Sequence, residues 1–225
     1  MLQRLRGILA LGLLFICAGP ALAQQSAQAR ATANVDLAQE LADVQADPAR
    51  TEKLFKLGAK TSSFCSNCHG AAGSSSKPEV PNLAAQNPSY LLEQLRQFAD
   101  GRRRFEFMEG LIKAMTSDEK IGIVLYYSAQ PAPTPNAAKP ELIAQGKEMF
   151  KVSCSICHGN DGHGNHQLAR IAGQQVTYLE NTLRRYRDAQ ALGRSPRTNA
   201  SMAKVTSAFN DAEIKALVAY VSSMP

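Results

Sequence analysis

The sequence predicts an all-α protein built as two tandem copies of one design. Three observations predict it. Apolar residues recur at three- and four-residue spacings, no run alternates with a strand's period of two, and the second half of the chain repeats the first at offsets of 88 to 94 residues. "YLLEQLRQFAD" (90 to 100) lies over "YLENTLRRYRD" (178 to 188), pairing Leu91 with Leu179, Leu95 with Leu183 and Phe98 with Tyr186. "MTSDEKIGIVLYYS" (115 to 128) lies over "FNDAEIKALVAYVS" (209 to 222). Small loop insertions account for the change of offset.

The chain opens with Arg4 and Arg6, an apolar run from about Ile8 to Cys17, and an Ala-Leu-Ala ending at Ala23. This is the pattern of a secretory signal peptide, 1–23, cleaved after Ala23, and it predicts a periplasmic protein. The apolar run is short for a membrane span, which needs roughly 18 residues or more. A lipid anchor on Cys17 is disfavoured by the bulky Ile16 before it. An Ala- and Gln-rich extension, 24–51, follows, with no assigned function. The formal charge falls from +6 to +4 when Arg4 and Arg6 are removed, a modest balance and a weak hint of acidic partners.

The first repeat is placed at 52–130. A helix is expected over "ARTEKLFKLGAK" before Cys65, one over Tyr90 to Asp100, and a terminal one whose start is marked by Thr116 and Glu119, spaced as a capping box. A Pro- and Ala-rich linker, 131–140, cannot continue a helix or a sheet ladder. The second repeat, 141–225, has the same plan: "PELIAQGKEMF" before Cys154, the helix from Tyr178, and a terminal helix capped by Asn210 and Glu213. Repeats of about 80 residues bury little surface, and neither holds a Trp or a disulfide candidate outside its motif, so something else must fill each core.

"CSNCH" (65 to 69) returns as "CSICH" (154 to 158). Cys at i and i+3 share one helical turn and reach the same edge of a flat ligand, while His at i+4 points to its centre. A haem meets that geometry, its vinyl groups taken by Cys65 and Cys68, or Cys154 and Cys157, as thioethers, and its iron by His69 or His158. C-x-x-C-H is the signature of c-type haem attachment. A zinc knuckle suits a cytosolic chain better, and a redox dithiol would sit on a βαβ pattern that is missing here. With Cys17 removed, no cysteine lies outside the two motifs. Two covalently bound haem c groups are therefore expected.

The order of haem motif, L-A-x-Q-x-x-x-Y-L (83 to 91, with "IAGQQVTYL" at 171 to 179), methionine, and terminal helix with Tyr126 or Tyr220 resembles the dihaem class I cytochromes c of the cytochrome c4 family over residues 52 to 225. Two departures are the long extension before residue 50 and Ala85 where the second repeat has Gly173. The resemblance implies two tandem class I cytochrome c domains, each wrapped around its haem, with methionine as the sixth iron ligand. Met202 lies 18 residues before Tyr220, and the same count back from Tyr126 reaches Met108. Met115 falls instead over Phe209, a core position beside the terminal cap. A flexible loop is expected to carry Met108 and Met202. Met149 reads as a core residue and Met224 as part of a frayed end, so neither is expected on iron. His163 and His166 read as members of a solvated loop, since the first repeat has no counterparts.

The family implies a carrier of single electrons between respiratory redox protein donors and a terminal oxidase or other acceptor, a membrane haem-copper oxidase being the one expected, with peripheral membrane contact possible. The alternatives are a cytochrome subunit of a dehydrogenase complex and a dihaem peroxidase, which needs an open iron position. Nucleic acid is not an expected partner. Arg102 to Arg104, and Arg184, Arg185 and Arg187, read as solvated faces or, functionally, as docking charges. The charges near Met202 in the sequence are Arg194, Arg197 and Lys204, whereas Met108 is flanked by Glu106 and Glu109, with Arg102 to Arg104 further back. Because cations disfavour ferric iron, the second haem should have the higher potential.

Overall fold

The computed structural model describes residues 37–192 and 199–225, and the signal peptide, the start of the extension, Arg194 and Arg197 lie outside them. Among the described residues there is no strand; β-type pairing is limited to isolated bridges, one of them between Asn165 and Leu168. After a helix α1 over 37–46, the first repeat holds helices α2 (Pro48–His69), α3 (Pro88–Asp100), α4 (Glu106–Ala114) and α5 (Ser117–Ser128), with a 3-10 turn at Ala71–Gly73. The second holds α6 (Pro140–Ser153), α7 (Ser155–His158), α8 (Val176–Leu192), α9 (Ala200–Thr206) and α10 (Asp211–Ser223). None of these helices is long and apolar enough to cross a membrane.

Local sequence explains where the helices start. Asp47 accepts from the backbone N–H groups of Ala49 and Arg50, with Pro48 as the first helical residue. Thr116 with Glu119 and Asn210 with Glu213 form reciprocal capping boxes, as their spacing predicts.

In each repeat the first and last helices cross at small residues. A Cβ on Gly58 would stand 1.9 Å from the Gly122 carbonyl oxygen, and one on Gly146 would stand 2.0 Å from that of Ala216. Glycine therefore sets the backbone approach of α2 to α5 and of α6 to α10. Each repeat also has an aromatic pair between these helices, Phe55 with Tyr126 tilted at 5.6 Å and Phe150 with Tyr220 edge-on at 5.4 Å. Leu54, Ile112, Ile121 and Val124 fill the first core, and Phe150, Ile214, Leu217 and Val218 the second.

Three features add to or alter these expectations. Part of the extension is a helix, α1 over 37–46, whose Leu41 and Val44 are buried in the first core. The frayed end expected at Met224 is absent: its side chain is buried, with its sulfur against Gly162, and Gly162 has room for it because it lacks a Cβ. Most arginines of the two runs make contacts within the chain. Arg102 pairs with Glu93 and Asp100, and Arg103 stacks on Phe98 and donates to Gln94 and Tyr178. Arg104 pairs with Glu109, and Arg184 and Arg187 both pair with Asp211. Arg102, Arg104 and Arg185 are exposed, so the solvated reading holds for Arg185 and, beside their ion pairs, for Arg102 and Arg104.

Candidate haem sites

Each site is assembled on the helix that ends at its histidine. Helix α2 runs unbroken through Cys65, Cys68 and His69, so the three side chains share one turn as the spacing requires. In the second repeat the axis breaks at Cys154 and α7 carries Cys157 and His158. In both, the first cysteine is half-buried and the second exposed, and none of the four is in a disulfide. Burial raises the Cys65 thiol and pushes that of Cys154 up to about 11.

The imidazoles are held identically. His69 Nδ1 lies 2.9 Å from the Pro81 carbonyl oxygen, and His158 Nδ1 lies 2.9 Å from that of Ala169. A carbonyl only accepts, so Nδ1 carries the proton in each ring and Nε2 keeps its lone pair. Burial, outweighing the carbonyl contact, holds both rings below the usual histidine range and hence neutral near pH 7. The loop supplying these carbonyls is shaped by the turn after each histidine: Gly73 and Gly162 have positive φ, and their carbonyls accept from Leu83 and Ala84, and from Ile171 and Ala172.

The methionines sit on helices, not on the flexible loops expected. Met108 is the third residue of α4, counted from Phe105 at the cap position, and Met202 is the third residue of α9, counted from Asn199. Short helices replace loops because they can be anchored: the Asn199 side chain accepts from Met202 N at 3.0 Å, and Glu109 accepts from Phe105 N at 3.2 Å. Both methionines are half-buried. Met108 packs against the same core as Cys65, but so does Met115, which stands directly before the capping box as Phe209 does in the second repeat.

His163 and His166 are exposed as expected, although their backbone carbonyls accept from Asn87 and Tyr90 of the first repeat. Met149 packs on the second core.

The donor set fits a covalently held haem: two unpaired thiols and one neutral imidazole with a free Nε2 on a single turn. The buried Tyr127 Oη lies against Cys65 and Ser62 but makes no hydrogen bond of full geometry, the sort of polar atom a bound group can satisfy.

Sequence reading passed over one set of residues. The glutamine of each L-A-x-Q stretch is buried between the repeats, where it binds the partner repeat's backbone: Gln86 on Arg170, and Gln174 on Asn82. The signal was present, since Gln86 and Gln174 are 88 residues apart like the tyrosines that follow them.

Comparison with known proteins places these features. The family model described as Cytochrome c matches residues 143–225. A cytochrome c4 of Thiocapsa roseopersicina is 33% identical over 177 residues, 74% of this chain and 90% of that protein. A cbb3-type cytochrome c oxidase subunit CcoP of Helicobacter pylori is 28% identical over 165 residues, 71% of this chain and 54% of that protein. Among solved structures, reduced recombinant cytochrome c4 from Pseudomonas stutzeri aligns with a TM-score of 0.68 and 25% identity, covering 76% of this chain and 98% of the other.

Proposed function

Because the chain belongs to the cytochrome c4 family of electron carriers, we propose that it is a periplasmic dihaem carrier passing single electrons from respiratory donors to a terminal oxidase. The observation that carries this reading is the duplicated histidine geometry: one C-x-x-C-H turn per repeat, each with its Nδ1 committed to a backbone carbonyl. Haem c, two groups bound covalently, is the cofactor of this architecture. Cys65 and Cys68 would hold one group with His69, and Cys154 and Cys157 the other with His158. Met108 and Met202 would be the sixth ligands. The group supplies a one-electron ferric/ferrous couple.

The residues of the chain do the rest. The Pro81 and Ala169 carbonyls fix the tautomer that presents Nε2 and raise the basicity of the ring. A thioether sulfur is a soft ligand that favours ferrous iron, so histidine with methionine suits a fairly high potential. With a histidine and a methionine of the chain both available to each iron, no position would be open to a substrate, which favours a carrier over a peroxidase.

A ferric absorption spectrum with a haem count by pyridine haemochrome tests the reading: two c-type haems per chain and a methionine-to-iron charge-transfer band are expected. Rapid hydrogen peroxide turnover would overturn it. Likeness to an oxidase subunit supports a membrane haem-copper oxidase as acceptor. Cyanide-sensitive oxidation of the reduced protein by membranes should follow. Since Arg102 to Arg104, Arg184 and Arg187 are already engaged within the chain, they give little support to docking on an anionic membrane surface. Electrons are proposed to run from the first haem to the second, on the charges named above, and potentiometry would decide the order.

A further inference from the structure

The two repeats meet through a pair of crossed contacts. Gln174 Oε1 accepts from Asn82 N at 2.7 Å, and its Nε2 donates to Asn82 O at 3.0 Å. Gln86 Oε1 accepts from Arg170 N at 2.7 Å, and its Nε2 donates to Arg170 O at 2.8 Å. Each Oε1 also accepts a second backbone N–H, from Gln175 or Asn87. Two donors on one oxygen settle which amide atom is which, because a flipped side chain would set an NH2 against two N–H groups. All four residues are buried, at 5 to 8% exposure, so these bonds do not compete with water.

The Asn82 N–H and the Pro81 carbonyl belong to one peptide group, as do the Arg170 N–H and the Ala169 carbonyl. His69 Nδ1–H therefore donates to a peptide whose own N–H donates to Gln174, and His158 Nδ1–H to a peptide whose N–H donates to Gln86. Each histidine is connected, through a single peptide unit, to a side chain of the other repeat. Hydrogen bonds in such a chain polarise one another. Accepting the N–H leaves more negative charge on the carbonyl, which strengthens its hold on Nδ1–H and makes the imidazole a more basic ligand.

We propose that Gln86 and Gln174 are positioning residues acting across the repeat boundary: Gln174 lowers the potential at His69, and Gln86 lowers that at His158. This rests on the haem reading above. A more basic imidazole favours ferric iron, so loss of either glutamine contact raises the potential of the opposite repeat's site.

The test uses the full-length holoprotein. In Gln174→Met, which keeps the volume and removes both polar atoms, the first site should shift by about two- to tenfold in its ferric/ferrous ratio at fixed ambient potential, tenfold being about 59 mV for one electron. The second site should not move, and Gln86→Met should give the mirror image. Proton NMR of the reduced protein supplies the second readout: the His69 Nδ1–H resonance should move upfield in Gln174→Met while that of His158 stays. Gln174→Glu keeps an oxygen at Asn82 N–H, so the first site should stay at or below the parent potential; this variant carries the test if the Met variants do not accumulate. A purely structural glutamine would disturb its own repeat or both alike. That pattern, an unmoved pair of potentials, or a rise in Gln174→Glu overturns the proposal while leaving two normally ligated haems. Purified protein without haem overturns the underlying reading, and the inference with it.

Discussion

Met108 and Met202 occupy one register, each the third residue of the short helix that precedes the terminal helix of its repeat. Met115 has no methionine counterpart: it stands where Phe209 stands, next to the terminal cap. If Met108 and Met202 are the sixth ligands, Met108→Ala should abolish half of the methionine-to-iron charge-transfer band and open one iron to carbon monoxide. Met115→Leu should leave both properties intact, and the reverse pattern would exchange the two assignments.

The haems are expected to complete the cores. The second repeat's buried cluster is small, with Phe150 and Tyr220 as its aromatic pair. Replacing Cys154 and Cys157 by Ala in the full chain should unfold that repeat, seen by circular dichroism as lost helicity. A haem-free second repeat that stays helical and melts cooperatively would refute this.

Glycine at the helix crossings sets a steric limit. With a Cβ 1.9 Å from a backbone oxygen, Gly58→Ala must push α2 off α5 and should cost about 3 kcal/mol or more. Gly110, with nothing within 4 Å of its would-be Cβ, is the control. Gly110→Ala should be stabilising by up to about 1 kcal/mol through helix propensity. Thermal unfolding of the two variants separates packing from propensity.

Ala85 has φ of 55° where its counterpart Gly173 has φ of 67°. Both backbone N–H groups donate to the end of the terminal helix, at Tyr127 O and Val221 O, so the conformation is imposed by that contact. Ala85→Gly should therefore stabilise the protein by up to about 1 kcal/mol. Gly173→Ala, whose Cβ would meet Pro133 O at 3.2 Å, should destabilise it. Equal effects of the two changes in a denaturant titration would show that the strain is not there.

Asp211 carries the pH prediction. Hydrogen bonds from Arg184 and Arg187 lower its carboxyl to about 2. A depressed acid contributes stability that is present above its unfolded value near 3.9 and is lost as pH falls through about 2. Between pH 4 and pH 2 the parent should thus lose more stability than Asp211→Asn, in acid unfolding followed by circular dichroism. The group is exposed, so added salt should shrink the difference.

What could be read from residues alone was whatever depends on neighbours a few positions apart. The capping boxes at Thr116 and Asn210, the single turn bearing Cys65, Cys68 and His69, and the duplicated order of segments are all local or periodic, so they survive without knowledge of the fold. The cysteine and histidine constellations were legible for the same reason. Folding decided the features whose partners are far along the chain. Nothing near Leu41 or Val44 announces that an Ala- and Gln-rich extension ends in the first core, because their burial depends on packing against later helices. Arg184 and Arg187 look solvated until Asp211, more than 20 residues on, is brought beside them. The glutamines show this most clearly: Gln86 finds its peptide partner 84 residues away and Gln174 finds its own 92 residues back. A buried amide needs all its polar atoms answered, and only the docking of one repeat on the other provides the backbone groups that answer them.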